Sequence, residues 1–541
     1  VAAIFAIGFG TALAQSGNRV ISGFVAGVDG QPLSGATVTL SPSGRRGPSV
    51  ETITDAQGRF DFAALEDGRY EVVASHRGFA PSSYNQHGGV STAIVTGENL
   101  ETTGIVISLV RLASISGMVT EDSGDPVPHA QLHLFRSDPM REGVKQRANF
   151  ANADEMGNFG MPELAPGTYY LCASGVPWYR PNRRGFDSSA GQTRSALDVA
   201  YAPACYPDGA DPAAAEPMTV KAGEHIEVNL TLHAVPAIHV TFQVPKPEGN
   251  QGMQFPQLSQ EIFGEKQFVQ GAAPIFGNRN EAGGGDTMTV SMTGLAPGQY
   301  DVEFTGGANS GAARFGSIRA STGDIAVDLS AFQTAAAISG KVLMDGGGNA
   351  PESSSISFVT EERGQVTTAQ IQPDGSFHFD SAPPGDYDVR INGGSGLLFA
   401  SQLKVKGVAQ RGTRLHVGSD PIEVTVIAGE PIATISGSVV RNGKAASGVF
   451  VLLVPEDLDA GAGRWIVNQS DSDGSFICEH VPAGHYRAVA IDEGWKLDWH
   501  RREVIIPYLA HGVGITIGAG VRTAALKSAL EAQGAGGLSV Q

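Results

Sequence analysis

The sequence predicts an all-β protein, built as a tandem array of about five antiparallel β-sandwiches. Three observations carry that expectation. A hairpin signature recurs along the chain: "TDAQGRFDFAALEDGRY" (54–70), "ADEMGNFGMPELAPGTY" (153–169), "QPDGSFHFDSAPPGDY" (372–387) and "SDGSFICEHVPAGHY" (472–486). Composition agrees, with 71 glycines, only 17% charged residues and many short alternating stretches, as turn-rich β proteins show. Length agrees too, since 541 residues exceed what one core organises, domains running about 100–200 residues.

Each copy opens on an alternating stretch: "VISGFVAG" (20–27), "SISGMVTE" (114–121), "AISGKVLM" (337–344) or "TISGSVVR" (434–441). Period-two alternation marks a half-buried strand. A polar turn and a second strand follow, clearest in "SGATVTL" (34–40) and "SGVFVLL" (447–453). Next comes Gly-x-Phe and, ten residues after the Phe, a Tyr preceded by Gly-x. The pairs are Phe60/Tyr70, Phe159/Tyr169, Phe377/Tyr387 and Phe476/Tyr486; a worn copy keeps Tyr300 and puts Val290 for the Phe. The turn before the Phe sets Asp55 or Asp154 where a carboxylate bonds backbone N–H groups, with Gly where positive φ is easiest. The Tyr should start a strand, ring in the core and hydroxyl bonded back to a loop. A strand such as "IVISLV" (105–110) or "IEVTVI" (422–427) closes the unit.

These repeats divide the chain into units at 17–112, 113–234, 235–333, 334–430 and 431–541, the third divergent. Each is of sandwich size. The junctions are short, which predicts a semi-rigid string. The opening "VAAIFAIGFGTALAQ" is apolar and ends in Ala12-Leu13-Ala14, so residues 1–14 read as an export signal. They lack Met and a basic region, so the signal is expected to be N-terminally incomplete. No other apolar run reaches membrane-spanning length, and an extracytoplasmic location without a stable membrane span follows. The net charge of −18 argues against a nucleic-acid partner, whose phosphates would be repelled.

The fifth hairpin gathers Asp473, Cys478, Glu479, His480 and His485, side chains that zinc sites use. Alignment with the other copies dissolves the cluster. Cys478 falls on Phe62, Met161, Met292 and Phe379, two after the Phe and on the same strand face, a core position where Cys behaves as a small hydrophobe. His485 falls on a variable polar position, and Asp473 belongs to the turn. "DSDGS" (471–475) resembles the start of a calcium loop but lacks its later acidic ligand. No metal and no cofactor are expected. Cys172 and Cys205 flank the insertion of the second unit; a disulfide there closes a loop of about 33 residues and stabilises by roughly 3 kcal/mol in an oxidising compartment.

The pattern SGxV, GAxVxL, TDxxGxFxFxxLxxGxY resembles the carboxypeptidase regulatory-like domain, a transthyretin-like β-sandwich related to carbohydrate-binding-like folds. The likeness covers the first, second, fourth and fifth units, and the third weakly. It implies transthyretin- or immunoglobulin-like sandwiches in a bacterial secreted protein. The segment "ACYPDGADPAAAEPMTVKAGEHIEVNLTL" (204–232) is similar to one in secreted bacterial multi-repeat proteins, where an aromatic residue stands at the position of Cys205; this favours the disulfide. A peptidase centre does not follow. "HRRE" (500–503) matches a zinc-carboxypeptidase spacing, but the only later His is His511 and no α/β domain fits in the remaining chain. No G-x-S-x-G stretch occurs, "GSVVRNGKA" (437–445) misses the P-loop spacing, and Lys341 has no counterpart in the other units.

Loops on a rigid sandwich carry function, and the second unit departs most from the repeat. Its insertion, within 173–215, offers Trp178, Tyr179, Arg180, Arg183, Arg184 and Tyr201, with Tyr206 just after. Aromatic faces beside guanidinium donors suit a sugar ring or an extended peptide. The plainer alternative is that Trp178 packs the insertion on its own sheet. Packing is also the expectation for Trp465, Trp495 and Trp499 in the fifth unit. Three functions compete. The first is a non-enzymatic exported binding or adhesion scaffold for an extracellular or envelope protein or polysaccharide. The second is a carbohydrate-binding protein using the aromatic insertion. The third is an accessory module of a secreted peptidase or outer-membrane receptor system.

Overall fold

The computed structural model describes residues 19–44, 47–138, 145–179, 195–245, 256–269, 274–276, 287–304, 313–345, 347–360, 366–393, 398–407, 413–430, 433–456, 465–518 and 520–534. The expected export signal at 1–14 lies outside them, as do Arg180, Arg183 and Arg184.

The described chain is all-β, in successive two-layer sandwiches. The first shows the plan. Strand Arg19–Gly27 pairs antiparallel with Arg59–Leu65 and parallel with Ile105–Arg111. The facing sheet runs Val50–Ile53, Thr37–Pro42, Gly68–Ser75, with Ser82–Ser83 and Ile94–Thr96 on the far edge. Ile21, Val38, Phe60, Phe62, Val72 and Ile107 fill the space between the layers. The plan recurs with opening strands Ala113–Glu121, Ile238–Pro245, Ala336–Met344 and Ala433–Arg441, each buried over its own core. In every unit the opening and closing strands run parallel while the hairpin partners run antiparallel. A parallel pair needs a long connection, and here the whole unit lies between the two strands.

The hairpin motif has a mechanical reason at each position. Gly58, Gly157, Gly375 and Gly474 all hold φ between 73° and 82°, a region that disfavours a side chain. Asp55 and Asp154 accept bonds from the backbone N–H groups of Gln57 and Arg59, and of Met156 and Asn158. The Tyr ring is buried in all five units, and its hydroxyl donates to the carbonyl four residues back: Tyr70 to Glu66 (3.1 Å), Tyr169 to Ala165, Tyr300 to Ala296 (2.6 Å), Tyr387 to Pro383, Tyr486 to Pro482 (2.9 Å). Each opening strand carries a register shift near its start. Ala64, Glu163 and His480 take left-handed φ on the partner strand at that shift, and extra residues of this kind form β-bulges. His480 is therefore a bulge residue.

The opening glycine of each repeat makes a close approach. A Cβ on Gly23, Gly117 or Gly340 would strike the backbone oxygen of Ile105, Val228 or Val424 on the parallel closing strand. The Ser-Gly of the repeat is thus a packing requirement of the parallel pair.

The fifth unit elaborates the plan. Strand Leu530–Gly534 pairs parallel with both Ala433–Arg441 and Gly484–Asp492, joining the two layers into one nine-stranded sheet. Helix Arg502–Leu509 packs outside it over Phe450, Leu452, Trp465 and Ile491. Trp495 and Trp499 join this second cluster.

The string turns back on itself, and the first unit meets the fifth. Arg69 donates to Asp471, and Asp471 also accepts from the Ala93 N–H at 3.1 Å. Gln469 donates to Thr92 at 2.6 Å and to the Asn85 carbonyl at 2.8 Å. His87 stacks on Trp495 with ring centroids 3.5 Å apart.

Candidate binding site

The second unit anchors the described ends of the aromatic insertion, 173–179 and 195–215, on its sheet. Strand Val199–Tyr201 pairs with Ala234–Pro236, and Ala204–Cys205 pairs with Gly167–Ser174. Cys172 and Cys205 stand opposite one another in that pairing and are joined by a disulfide, with Cα atoms 4.0 Å apart. Their sulfurs do not enter the sandwich core. They face outward into a cluster with Phe135 and with Ile262 of the third unit.

Trp178 is 73% exposed, its indole meeting Tyr179 edge-on at 5.5 Å. Tyr179 is tied down: its hydroxyl donates to Glu121 Oε2 at 3.1 Å, and Tyr201 donates to the same oxygen at 2.6 Å. Burial first, and then the Glu121 carboxylate, hold both phenols above their ordinary pKa. Tyr201 itself is buried. Tyr206 packs partly buried on the core of the second unit, with its backbone bonded to Leu171. Of the expected contact residues, the structure therefore places Trp178 on the surface, Tyr179 beside it and Tyr201 beneath, with Tyr206 apart from them. Just beyond, His233 bridges Asp122 and Asp208 (2.6 and 3.1 Å), and these two carboxylates raise its pKa.

Residues not foreseen in the sequence form the seam with the third unit. Asp198, inside the insertion, meets His239 at 2.8 Å in a buried pair. Arg147 meets Glu265 at 2.7 Å, and the Lys145 ammonium sits over the Tyr170 and Phe263 rings at 4.4 and 4.3 Å. In the strand register His239 takes the position of Val20, Ser114, Ala337 and Thr434 in the other units, so the sequence marks it only by its imidazole.

The ligand-type residues of the fifth hairpin are engaged separately. Cys478 lies in the core, where burial pushes its thiol up to about 12. Asp473 accepts from the Ser475 N–H at 2.9 Å, and His485 bonds Thr516 on the neighbouring strand. Glu503 of "HRRE" pairs with Arg501, and His500 stacks on Trp499 at 3.6 Å. Among the described residues, no helix is long and apolar enough to cross a membrane.

The fold and site define a chain of β-sandwich modules with one aromatic surface insertion. Residues 20–101 match the family model of the carboxypeptidase regulatory-like domain. Mouse (Mus musculus) BOS complex subunit NOMO1 is 29% identical over 177 residues, 29% of this chain and 14% of that protein. Human (Homo sapiens) BOS complex subunit NOMO3 is 28% identical over 177 residues, again 29% and 14%. The alignment thus spans a small part of those relatives. Among solved structures, GBS52, the minor pilin of Streptococcus agalactiae, is similar at 14% identity, over 40% of this chain and 97% of that one, with a TM-score of 0.20. The Bacillus anthracis TIE protein is similar at 12% identity, over 77% of this chain and 76% of that one, with a TM-score of 0.18. Overlaps at these TM-scores carry no functional information.

Proposed function

We propose that this chain is a non-enzymatic, exported binding scaffold of five sandwich units, divided at 17–112, 113–234, 235–333, 334–430 and 431–541, which holds an extracellular or envelope polysaccharide on the second unit. The observation that carries the reading is the exposed indole of Trp178. Trp178 stands in a turn beyond strand Gly167–Ser174, and stacking a sugar ring on its exposed face would bury apolar surface without disturbing the core. Tyr179 and Tyr201, pinned on Glu121, keep the support beneath it rigid, which lowers the ordering cost of binding. The apolar run at 1–14 and the Cys172–Cys205 disulfide both favour an oxidising, exported setting.

A pull-down of the full chain on a panel of insoluble polysaccharides tests this reading. Wild type is expected to be retained on at least one, and Trp178→Ala to be released. Equal retention of the two proteins, or no retention on any member, counts against it.

A further inference from the structure

At the end of the second unit the His233 ring lies between two carboxylates. Nδ1 stands 2.6 Å from Asp122 Oδ1, and Nε2 stands 3.1 Å from Asp208 Oδ1. An ionised carboxylate only accepts hydrogen bonds, and a neutral imidazole carries a proton on one nitrogen alone. A neutral ring would therefore turn one lone pair onto a carboxylate oxygen at close range. Only the imidazolium donates to both. The ring is 47% exposed, so solvent protons reach it.

The three groups come from three segments. Asp122 follows the opening strand Ala113–Glu121, Asp208 lies in the loop beyond Cys205, and His233 follows the closing strand Leu230–Leu232. Their bonds converge on the chain that leaves the unit. Asp122 Oδ2 also accepts the Ala234 N–H at 3.3 Å, and the His233 carbonyl accepts the Ala202 N–H at 3.2 Å. Ala234–Pro236, the linker to the third unit, is the strand on which Val199–Tyr201 of the insertion pairs. Asp122 adjoins Glu121, whose carboxylate holds Tyr179 and Tyr201. At its far end the same linker is tied to the insertion again. There Asp198 meets His239 at 2.8 Å, and the Asp198 carbonyl accepts the Ala237 N–H at 2.9 Å.

The charges that face the His233 ring are those of Asp122 and Asp208. Their bonds raise its pKa, against a smaller opposing pull from burial. The bond to His233 in turn lowers the Asp122 pKa, so the two partners agree. Three further strands pack on Leu230–Leu232. Ala113–Glu121 brings Glu121, which is turned to the two phenols. Gly167–Ser174 and Ala204–Cys205 bring no Asp, Glu, Lys or Arg.

We propose that His233 is a pH-sensitive clasp: its imidazolium ties the turn at Asp122 and the loop at Asp208 to the start of the second–third linker, and loss of its proton releases them. A histidine whose folded pKa is raised gives stabilisation that is full below its free value of about 6.5. That stabilisation is lost as pH rises through the folded value. The clasp thus holds the insertion strand on the linker in acid and slackens in alkali. The exposure of all three side chains keeps the effect modest. The proposal stands apart from the polysaccharide reading, since it concerns the junction and not a ligand.

Hydrogen exchange of the full chain, read near pH 6 and near pH 9 with the intrinsic chemical rates divided out, tests it. Peptides covering 198–206 and 232–238 should be roughly two- to fivefold better protected near pH 6, the size of a half-exposed ion pair. In His233→Gln, which stays neutral, both peptides should show the alkaline level of protection at both pH values. Ring resonances followed by NMR give a second reading: Asp208→Asn should lower the pH at which one histidine titrates. Should His233→Gln not fold, that lowering decides. Equal protection at the two pH values, a difference that survives His233→Gln, or no histidine titration moved by Asp208→Asn overturns the proposal.

Discussion

Arg69 and Asp471, 402 residues apart, meet at 2.7 Å across the contact between the first and fifth units. The carboxylate is only 1% exposed and the guanidinium 19%. Asp471 occupies the turn position at which Asp55 and Asp154 cap their own hairpins. In the fifth unit Asp473 accepts the Ser475 N–H, while Asp471 keeps a 3.4 Å bond from the Ser475 hydroxyl and also holds the other end of the array. Removing one partner of a buried pair leaves an uncompensated charge and costs about 3 kcal/mol or more. Arg69→Ala should therefore loosen the contact while each sandwich stays folded. Small-angle scattering is expected to show a larger radius of gyration with far-UV dichroism unchanged; an unaltered radius would argue that the other contacts suffice.

The same carboxyl gives the contact a pH dependence. Burial raises the Asp471 pKa to about 6, against the opposing pull of Arg69 and the Ala93 N–H, with Asp473 adding to the rise. A carboxyl whose folded pKa lies above its free value binds more protons when docked. Its contribution is present at low pH and is lost as pH rises through about 6. Thermal unfolding of wild type should thus show a more stable first–fifth contact near pH 5 than near pH 7, and Asp471→Asn should flatten that difference. A wild-type profile that rises across this window would contradict the assignment.

Trp178 and Tyr201 should separate binding from stability. Trp178→Ala removes a side chain that is mostly in water and should change the stability by no more than about 0.5 kcal/mol. Tyr201→Phe removes a buried hydroxyl that bonds Glu121 at 2.6 Å and should cost about 1–2 kcal/mol. Urea unfolding of the two variants, compared side by side, checks the order; a larger loss for Trp178→Ala would mean that the indole packs the insertion.

Thiol chemistry should resolve three cysteines into two classes. Under native, unreduced conditions no thiol should react with iodoacetamide, because Cys478 is buried and Cys172 and Cys205 are joined. Denaturation alone should expose one. Reduction before heating should lower the stability of the second unit by about 3 kcal/mol in the loop-entropy account. Intact-mass measurement counts the alkyl groups, and three of them on the denatured, unreduced chain would refute the pairing.

The repeat glycine offers a sharper perturbation than any surface change. In Gly340→Ala the new methyl meets the Val424 backbone oxygen and the Phe377 ring, so the parallel pair must open. A loss of about 2–3 kcal/mol is expected from such overpacking, confined to the fourth unit. Hydrogen exchange should show faster amides in Ala336–Met344 and Ile422–Gly429 and unchanged protection elsewhere.

How far the sequence reached is seen in particular residues. The Gly-x-Phe hairpin and the buried Tyr were legible because they are local, and five copies show which positions are scaffold. Cys478 was legible for the same reason: its siblings are Phe and Met. The parallel pairing of opening and closing strands was not, since alternation reveals a strand and not its neighbour. The contact between Arg69 and Asp471 left one faint trace, a second Asp in the turn of the fifth copy, which resembles a calcium loop as readily as a contact. Trp178 was picked out, but no pattern decides whether an inserted indole faces core or water.

The parallel pairing also governs how a unit bears load. In the fourth unit, Ile338–Met344 lies alongside Ile422–Ala428 in unbroken register, and these are the strands by which the unit joins its neighbours. Tension along the array would pull the two strands in opposite directions along their length. Their bonds would be strained together, in shear, instead of being peeled one after another. A tether made of such units would resist stretching far better than its equilibrium stability suggests.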